Sequence, residues 1–499
     1  MKINISQGSV SPGEIYEHHL VSNHLINPSK NADKIIMYAE KRYLMTLLTS
    51  GVRDSRYTAS GYTPSGGDSI STKIKQIPQG EMLDANAWQY SIMGRIQRAS
   101  VIISQVGNST AGSNASGGTF QLKLNDNLLG MGMVVRFANN KQARINAVPT
   151  GSPGNYIYSF QCFAGETFAW ASWVAIQAGT KTCFGGYSSY GERSRRGYSN
   201  FFYPDKYIQH TTTQRKSLSI SGHANANKVL WYELNGEKGM VFEAEAQARA
   251  QFLLEDEDKS WWGESTMRDQ FGNLLAFPSQ TDEKGDAVFA GDGYVKQISG
   301  SNDMTTSGLG GKATYDDMID MMRALRPKKN SMNAKQLTVV TGSDGYLDAF
   351  EMISAKYPNI QITQAAGSNT AIGGQDIAVG YKMNKINFGG DQILFVENPL
   401  MDDSQRFPKR LSNGKLAMSS TYYFMDLDTL DNGRSNIEIR ARGREGVDRN
   451  LVYFWQNGMS GMGKADNPVD AIEFHMLKET ALAVYDTGGN GILSPDYTA

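Results

Sequence analysis

The chain has 499 residues, 40% of them apolar and 20% charged, and its 49 Lys and Arg nearly balance 50 Asp and Glu to leave a net charge of -1. At roughly 100–200 residues per domain this length implies about three globular units with a large core, and near-neutrality excludes the basic excess of an autonomous nucleic-acid binder. Two cysteines, Cys162 and Cys183, are too few for a disulfide framework or a Cys-rich zinc site; the pair could bridge, but a reducing cytoplasm during synthesis favours two packed thiols. No apolar run reaches the length of a membrane span, and the first residues, Met1 to Glu14, lack the apolar core of a secretory signal. The 52 Gly and 24 Tyr against only 6 His suit turns and wide contact surfaces more than an enzyme of this size.

Residues 1–30 have no sustained period and read as an extended arm. From Asn31 to about Leu48 the stripe Ile36, Tyr43 and Leu47 predicts an amphipathic helix. The Gly/Ser/Thr-rich stretch 51–72 reads as a long loop, so arm and loop together have little core and need a surface to lie on. The apolar stretch Ile92 to Val106 predicts a strand entering a new unit, and 107–118 a Gly/Ser linker. Beyond it Phe120, Leu122 and Leu124 alternate with polar residues. Met133 to Phe137, Ala143 to Val148 and Tyr156 to Cys162 follow at short spacing between turn signals, the pattern of a small all-β insertion closing near Tyr190. Tyr207 to Ile220 reads as a returning extended segment.

Residues 238–262 carry the strongest helical pattern, with Met240, Ala244, Ala248 and Phe252 four apart. The helix ends in Glu255, Asp256, Glu257 and Asp258, the wrong sign for its macrodipole, so a basic surface is expected to hold that end. Farther on, Thr314-Tyr-Asp-Asp317 is a capping box before Met318, Ile319, Met322 and Leu325. Leu337 to Thr341 reads as a strand, Gly345 to Lys356 as a helix and Ile393 to Val396 as a strand. Ile437, Ile439 and Ala441 alternate with Glu438, Arg440 and Arg442, and Leu451 to Trp455 and Ala471 to Val484 return to core-like patterns. The fold class is α+β with a β-rich insertion.

No motif carries chemistry through. Gly458-Met-Ser-Gly-Met-Gly463-Lys464 matches a phosphate loop until Ala465 replaces the Mg²⁺-binding hydroxyl, which leaves a Gly-rich turn between core segments as the better reading. His18, His19 and His24 sit in an arm too loose to fix a metal. Asp426, Asp428 and Asp431 before Asn432-Gly433 lack calcium-loop spacing and read as a capped turn. The four carboxylates 255–258 read as a solvated or interface-facing acidic patch. The basic clusters, namely Arg193, Arg195 and Arg196, then Lys328-Lys329, then Arg440, Arg442 and Arg444, fit salt bridges to an acidic neighbour better than contact with nucleic acid. No catalytic, cofactor-binding or metal residue is assigned, and no cofactor is expected.

In order, these pieces resemble the Hong Kong 97-type major capsid proteins of tailed phages. The segment 238–485, with Gly263, Gly291-Asp-Gly293, Leu337-Thr-Val-Val-Thr-Gly342 and Gly458-Met-Ser-Gly461, is especially similar to capsid proteins of Bacteroidetes-infecting phages, including crAss-like phages. The resemblance implies an N-terminal arm with adjoining loop over 1–72, a lead-in over 73–91 and an extended loop (E-loop) over 92–230 with a β-rich insertion at about 107–193. It further implies a P-domain over 231–311 with a spine helix at 238–262, an A-domain over 312–435, and a return to the P-domain with a C-terminal tail over 436–499. The implied function is not enzymatic: self-assembly in the host bacterial cytoplasm into hexamers and pentamers of an icosahedral virion shell around double-stranded DNA. Partners would be other copies, the portal, scaffold and auxiliary or decoration head proteins, and DNA non-specifically on the inner face, with no membrane. Another virion component, from tail or baseplate, is the runner-up, and a hydrolase of unrecognised family the third reading.

Overall fold

The computed structural model describes residues 77–92, 98–107, 117–192, 205–223, 240–269, 272–325, 336–356, 391–428, 433–444, 447–459 and 467–496, with short pieces at 14–15, 33–34, 44–45, 197, 232–234, 237–238, 385–388, 430 and 465. The chain divides into two compact units, one of residues 91–206 and the other of 1–90 with 207–499.

Among its described residues the unit 91–206 is built of strands and a short helix, Trp170–Trp173. Its strands are β1 (Ala99–Val106), β2 (Thr119–Leu124), β3 (Met133–Arg136), β4 (Gln142–Ile145), β5 (Thr150–Ser152), β6 (Asn155–Cys162) and β7 (Thr182–Ser188). Neighbours pair antiparallel in the order β1-β2-β6-β4-β3-β7, and β7 pairs again with β1, so the sheet closes on itself as a six-stranded barrel. Closure removes the open edges that a sheet otherwise presents. The alternation along β2 sets the interior: Phe120, Leu122 and Leu124 are buried while Thr119 and Gln121 face out. Inside, Phe120 stacks on Phe168 with ring centroids 3.8 Å apart, and Phe137 and Trp173 close the cluster at 5.4 Å. Cys162 and Cys183 are free, buried thiols, and desolvation pushes Cys183 up to about 12.

The other unit holds the main helix, α1 (Met240–Trp262), against a sheet built on the 14-residue strand Ala471–Val484. In chain order its other main elements are β8 (Thr212–Ser221), α2 (Tyr294–Ile298), β9 (Asp303–Thr305), α3 (Tyr315–Leu325), β10 (Gln336–Thr341), α4 (Ser343–Lys356), β11 (Lys385–Phe388), β12 (Asp391–Glu397), β13 (Tyr422–Asp426), β14 (Ile437–Ala441), β15 (Val452–Asn457), β16 (Ala471–Val484) and β17 (Gly491–Ser494). β16 is the spine of the first sheet, paired with β8 on one side and with β14 and β15 on the other. The second sheet runs β9-β17-β13-β10-β12-β11, so it takes strands from 303–305 and 491–494 as well as from 312–435.

Several sequence expectations need correction. Asp33 and Lys34 form a short parallel strand with Tyr232–Leu234, so no helix begins at Asn31; helix is present at Leu44 and Met45, and the rest of that stretch lies outside the described residues. The alternation over 437–442 is not an inside-outside pattern, because all five residues of β14 are buried, Glu438 and Arg440 included. The capping box forms as read: Asp317 accepts from the Thr314 amide at 2.8 Å and Thr314 Oγ1 accepts from the Asp317 amide at 3.2 Å. The Gly458 segment opens a turn between the antiparallel strands β15 and β16, with no helix in β16 for a phosphate to approach. Its residues 460–464 lie outside the described set.

Candidate functional site

α1 forms because Ala244, Ala246, Ala248 and Ala250 among Glu, Gln and Arg are strong helix formers. Its buried stripe repeats every four residues through Ala248 and Arg249, Phe252 and Leu253, Asp256 and Glu257, and Ser260 and Trp261. Two of the four carboxylates, Asp256 and Glu257, therefore enter the core, which corrects for those two the reading of 255–258 as a solvated or interface-facing patch. The four-residue spacing that marked Ala248 and Phe252 leads on to Asp256, a signal present in the sequence that the acidic run obscured.

Each carboxylate meets its own partner. Asp256 binds Lys478 Nζ at 2.5 Å and Lys259 Nζ at 2.8 Å, and Lys259 also donates to Thr480 Oγ1 and Gln214 Oε1. Burial alone would raise the Asp256 carboxyl, but the two ammonium groups hold it well below the usual carboxylate range. Burial draws the Lys259 ammonium down, and Asp256 opposes that pull. Glu257 accepts from the Met45 amide at 2.7 Å and from Trp261 Nε1 at 2.8 Å, pinning the N-terminal segment to the helix. At the rim Glu255 pairs with Lys216 at 2.5 Å and Asp258 with Arg406 at 3.0 Å. The basic surface expected at this helix end is thus supplied by the same chain, from β8, β16 and the segment after β12.

A second cluster lies along β14. Glu438 accepts from Arg440 Nε at 2.7 Å and from the Tyr485 hydroxyl. Burial and then that carboxylate push the Tyr485 phenol well above its ordinary value. Glu479 is shared by Arg442 at 2.8 Å and Arg449 at 2.5 Å. Arg440 and Arg442 are therefore engaged within the chain, and not held for a neighbour or for nucleic acid. Arg193, Arg195, Arg196, Lys328 and Lys329 lie outside the described residues, as do His18, His19 and His24.

The glycines after α1 are close approaches between backbones. A Cβ on Gly291 would stand 2.1 Å from the His210 carbonyl, and one on Gly293 would stand 2.6 Å from the Gly263 amide nitrogen. Between them Asp292 accepts from the Ser265 amide at 2.9 Å and pairs with Arg268 at 3.2 Å. Gly80 instead makes room for a side chain, its Cβ position 2.8 Å from Glu438 Cδ.

The cavity among Thr212, Lys259, Gly291, Asp292, Thr480 and Leu482 has room for about one water. Among the described residues no group of three or more His, Cys, Asp or Glu is placed to hold a metal ion, and no helix is long and apolar enough to cross a membrane. Asp426 caps a turn by accepting from the Asp428 amide at 3.0 Å. His210 stacks on Phe289, and His475 lies between Ser217 and Glu473 on β8 and β16. What the arrangement does is hold extended segments from distant parts of the chain on one frame through buried ion pairs.

Comparison with known proteins places the chain among the structural proteins of viral shells. It belongs to the family described as Crassvirus major capsid protein, matched over residues 17–498, and so is a phage major capsid protein, a subunit of the head shell. No curated protein sequence matches it. Solved structures similar to it include the cyanophage Pam1 capsid, at 10% identity over 62% of this chain and 82% of that one with a TM-score of 0.35. The capsid of cyanophage P-SCSP1u is similar at 6% identity over 62% and 80% with a TM-score of 0.33. The SrpI encapsulin of Synechococcus elongatus is similar at 8% identity over 60% and 78% with a TM-score of 0.32.

Proposed function

We propose that copies of this chain assemble as hexamers and pentamers into an icosahedral head shell around double-stranded DNA, on the Hong Kong 97-type plan. Residues 1–72 act as arm and adjoining loop, 73–91 lead into the P-domain, and 92–230 form the E-loop with its β-rich insertion. Residues 231–311 are the P-domain with α1 as spine helix, 312–435 the A-domain, and 436–499 the return to the P-domain. The observation that carries the reading is the order of elements in a chain of this family: a separately folded β unit, then one 23-residue helix, then a helix-and-strand segment, then a long strand back beside the helix. A chain that works by contact needs a rigid frame and no catalytic centre, and the matched ion pairs along α1 serve the frame.

Portal, scaffold and auxiliary or decoration proteins are the further partners, and packaged DNA meets the inner face without sequence preference through cations offsetting its phosphates. Assembly takes place in the host cytoplasm, whose reducing conditions agree with the free thiols of Cys162 and Cys183. The test is a chain lacking residues 1–30. It is expected to stay soluble and form no closed shells in electron micrographs; normal shells would contradict the arm assignment.

A further inference from the structure

Leu309, 94% exposed, and Phe277, 81% exposed, are the two most exposed large apolar side chains among the described residues. Single exposed apolar residues are ordinary. These two are distinguished by what stands beside them.

Phe277 lies on a ribbon, described over 266–269 and 272–290, held by its own backbone: Leu275 donates to Met267 at 2.8 Å, Ser279 to Thr266 at 2.8 Å and Val288 to Gln280 at 3.0 Å. Leu274 is 50% exposed on the same ribbon. Its far turn, closed by the Gly285 amide on the Asp282 carbonyl at 3.0 Å, carries Asp282, Glu283 and Asp286 against Lys284 alone. The ribbon thus exposes Leu274 and Phe277 beside an acidic end, and its residues 272–289 are mostly exposed.

Leu309 stands on the turn 308–311, where Gly310 and Gly311 take φ of 68° and 75° that only glycine adopts without strain. Thr306 Oγ1 donates to the Gly311 carbonyl at 3.1 Å, and Asn413 Nδ2 to the Gly310 carbonyl at 2.9 Å. Asn413 belongs to a neighbouring turn whose stretch 406–415 contains four cations, of which Arg406 is paired with Asp258 and Lys415 with Asp348, while Lys409 and Arg410 lie between them. Lys409 and Arg410 are exposed. This second patch is an apolar knob with a basic flank, rigid before any contact, so docking it costs little ordering.

Both patches belong to the same unit, are opposite in charge, each expose a large apolar side chain, and share no residue. A contact between them joins copies head to tail, and a head-to-tail contact generates a ring where the rotation closes. We propose that the ribbon segment 272–290 of one copy docks on the Leu309 knob and the Lys409-Arg410 turn of a second copy of this chain, as a ring-forming contact of the assembled protein. The proposal rests on the shell-subunit reading, which supplies the second copy.

The experiment uses the full chain with E283K/D286K, with K409E/R410E, and with all four changes together. Each pair alone is expected to lower the yield of rings and shells by about tenfold at physiological ionic strength, with an unchanged melting temperature of the unassembled subunit. The fourfold variant, with charges exchanged, is expected to return to within about threefold of the unaltered chain. Normal assembly by either pair, or a fourfold variant as defective as its parents, overturns the contact. An unaltered chain that forms neither rings nor shells overturns the shell reading as well.

Discussion

Asp256 sits between Lys259 and Lys478, the latter 222 positions farther along the chain. Removing one member of a buried pair strands the other charge away from water, at about 3–5 kcal/mol. Lys478→Met leaves Asp256 with Lys259 as its remaining ammonium partner and is accordingly expected to lower stability by less than that but by more than about 1 kcal/mol in urea denaturation; a loss no larger than that of an exposed pair would contradict the burial argument. The sign of the pH dependence follows from the Asp256 carboxyl being held down in the folded chain. Its contribution is fully present above the unfolded carboxylate pKa, about 4, and is lost as pH falls through the lower folded value. Asp256→Asn removes that part of the acid slope, whereas an unchanged slope would contradict the assignment. At this scale the sequence was only half legible. The four-residue period reaches Asp256, but nothing in a helix names a lysine on a strand far along the chain as its partner. Glu438 and Arg440 misled for a related reason, since polar residues alternating with Ile437 and Ile439 look solvated until Tyr485 and each other satisfy them.

The barrel of 91–206 shows what an element pattern can and cannot give. Phe120, Leu122 and Leu124 read as one face of a strand, and they are buried as one face. Closure was not legible, because pairing β2 with β6 and β7 with both β1 and β3 depends on contacts far apart in sequence, while alternation is local. The same holds for β16, whose apolar run marked a core segment without revealing that it pairs with three other strands. Phe120 stacks on both Phe160 and Phe168 inside the barrel. Its truncation to Ala leaves a cavity among rings that cannot collapse, and Phe120→Ala is expected to cost about 3–5 kcal/mol. Hydrogen exchange along β2 checks this: protection should fall there and stay unchanged along β16, and equal loss in both would contradict the division into two units.

For the whole molecule, composition and order of elements said more than any motif. Gly-rich turns, many tyrosines, few histidines and the absence of a complete catalytic motif pointed to a chain that works through its surfaces, and the family match makes it a capsid subunit. The glycines 263, 291 and 293 carried part of the resemblance, and they are places where backbones meet too closely for a side chain. Which surface meets which in the assembly is not written in a single chain, since exposed residues such as Phe277 and Leu309 look alike in sequence to any loop residue. Electron microscopy of the purified full chain under assembly conditions tests the central claim most directly. Closed shells or rings of five and six subunits are predicted, and a chain that remains monomeric at high concentration, or forms tubes of tail type, would contradict it.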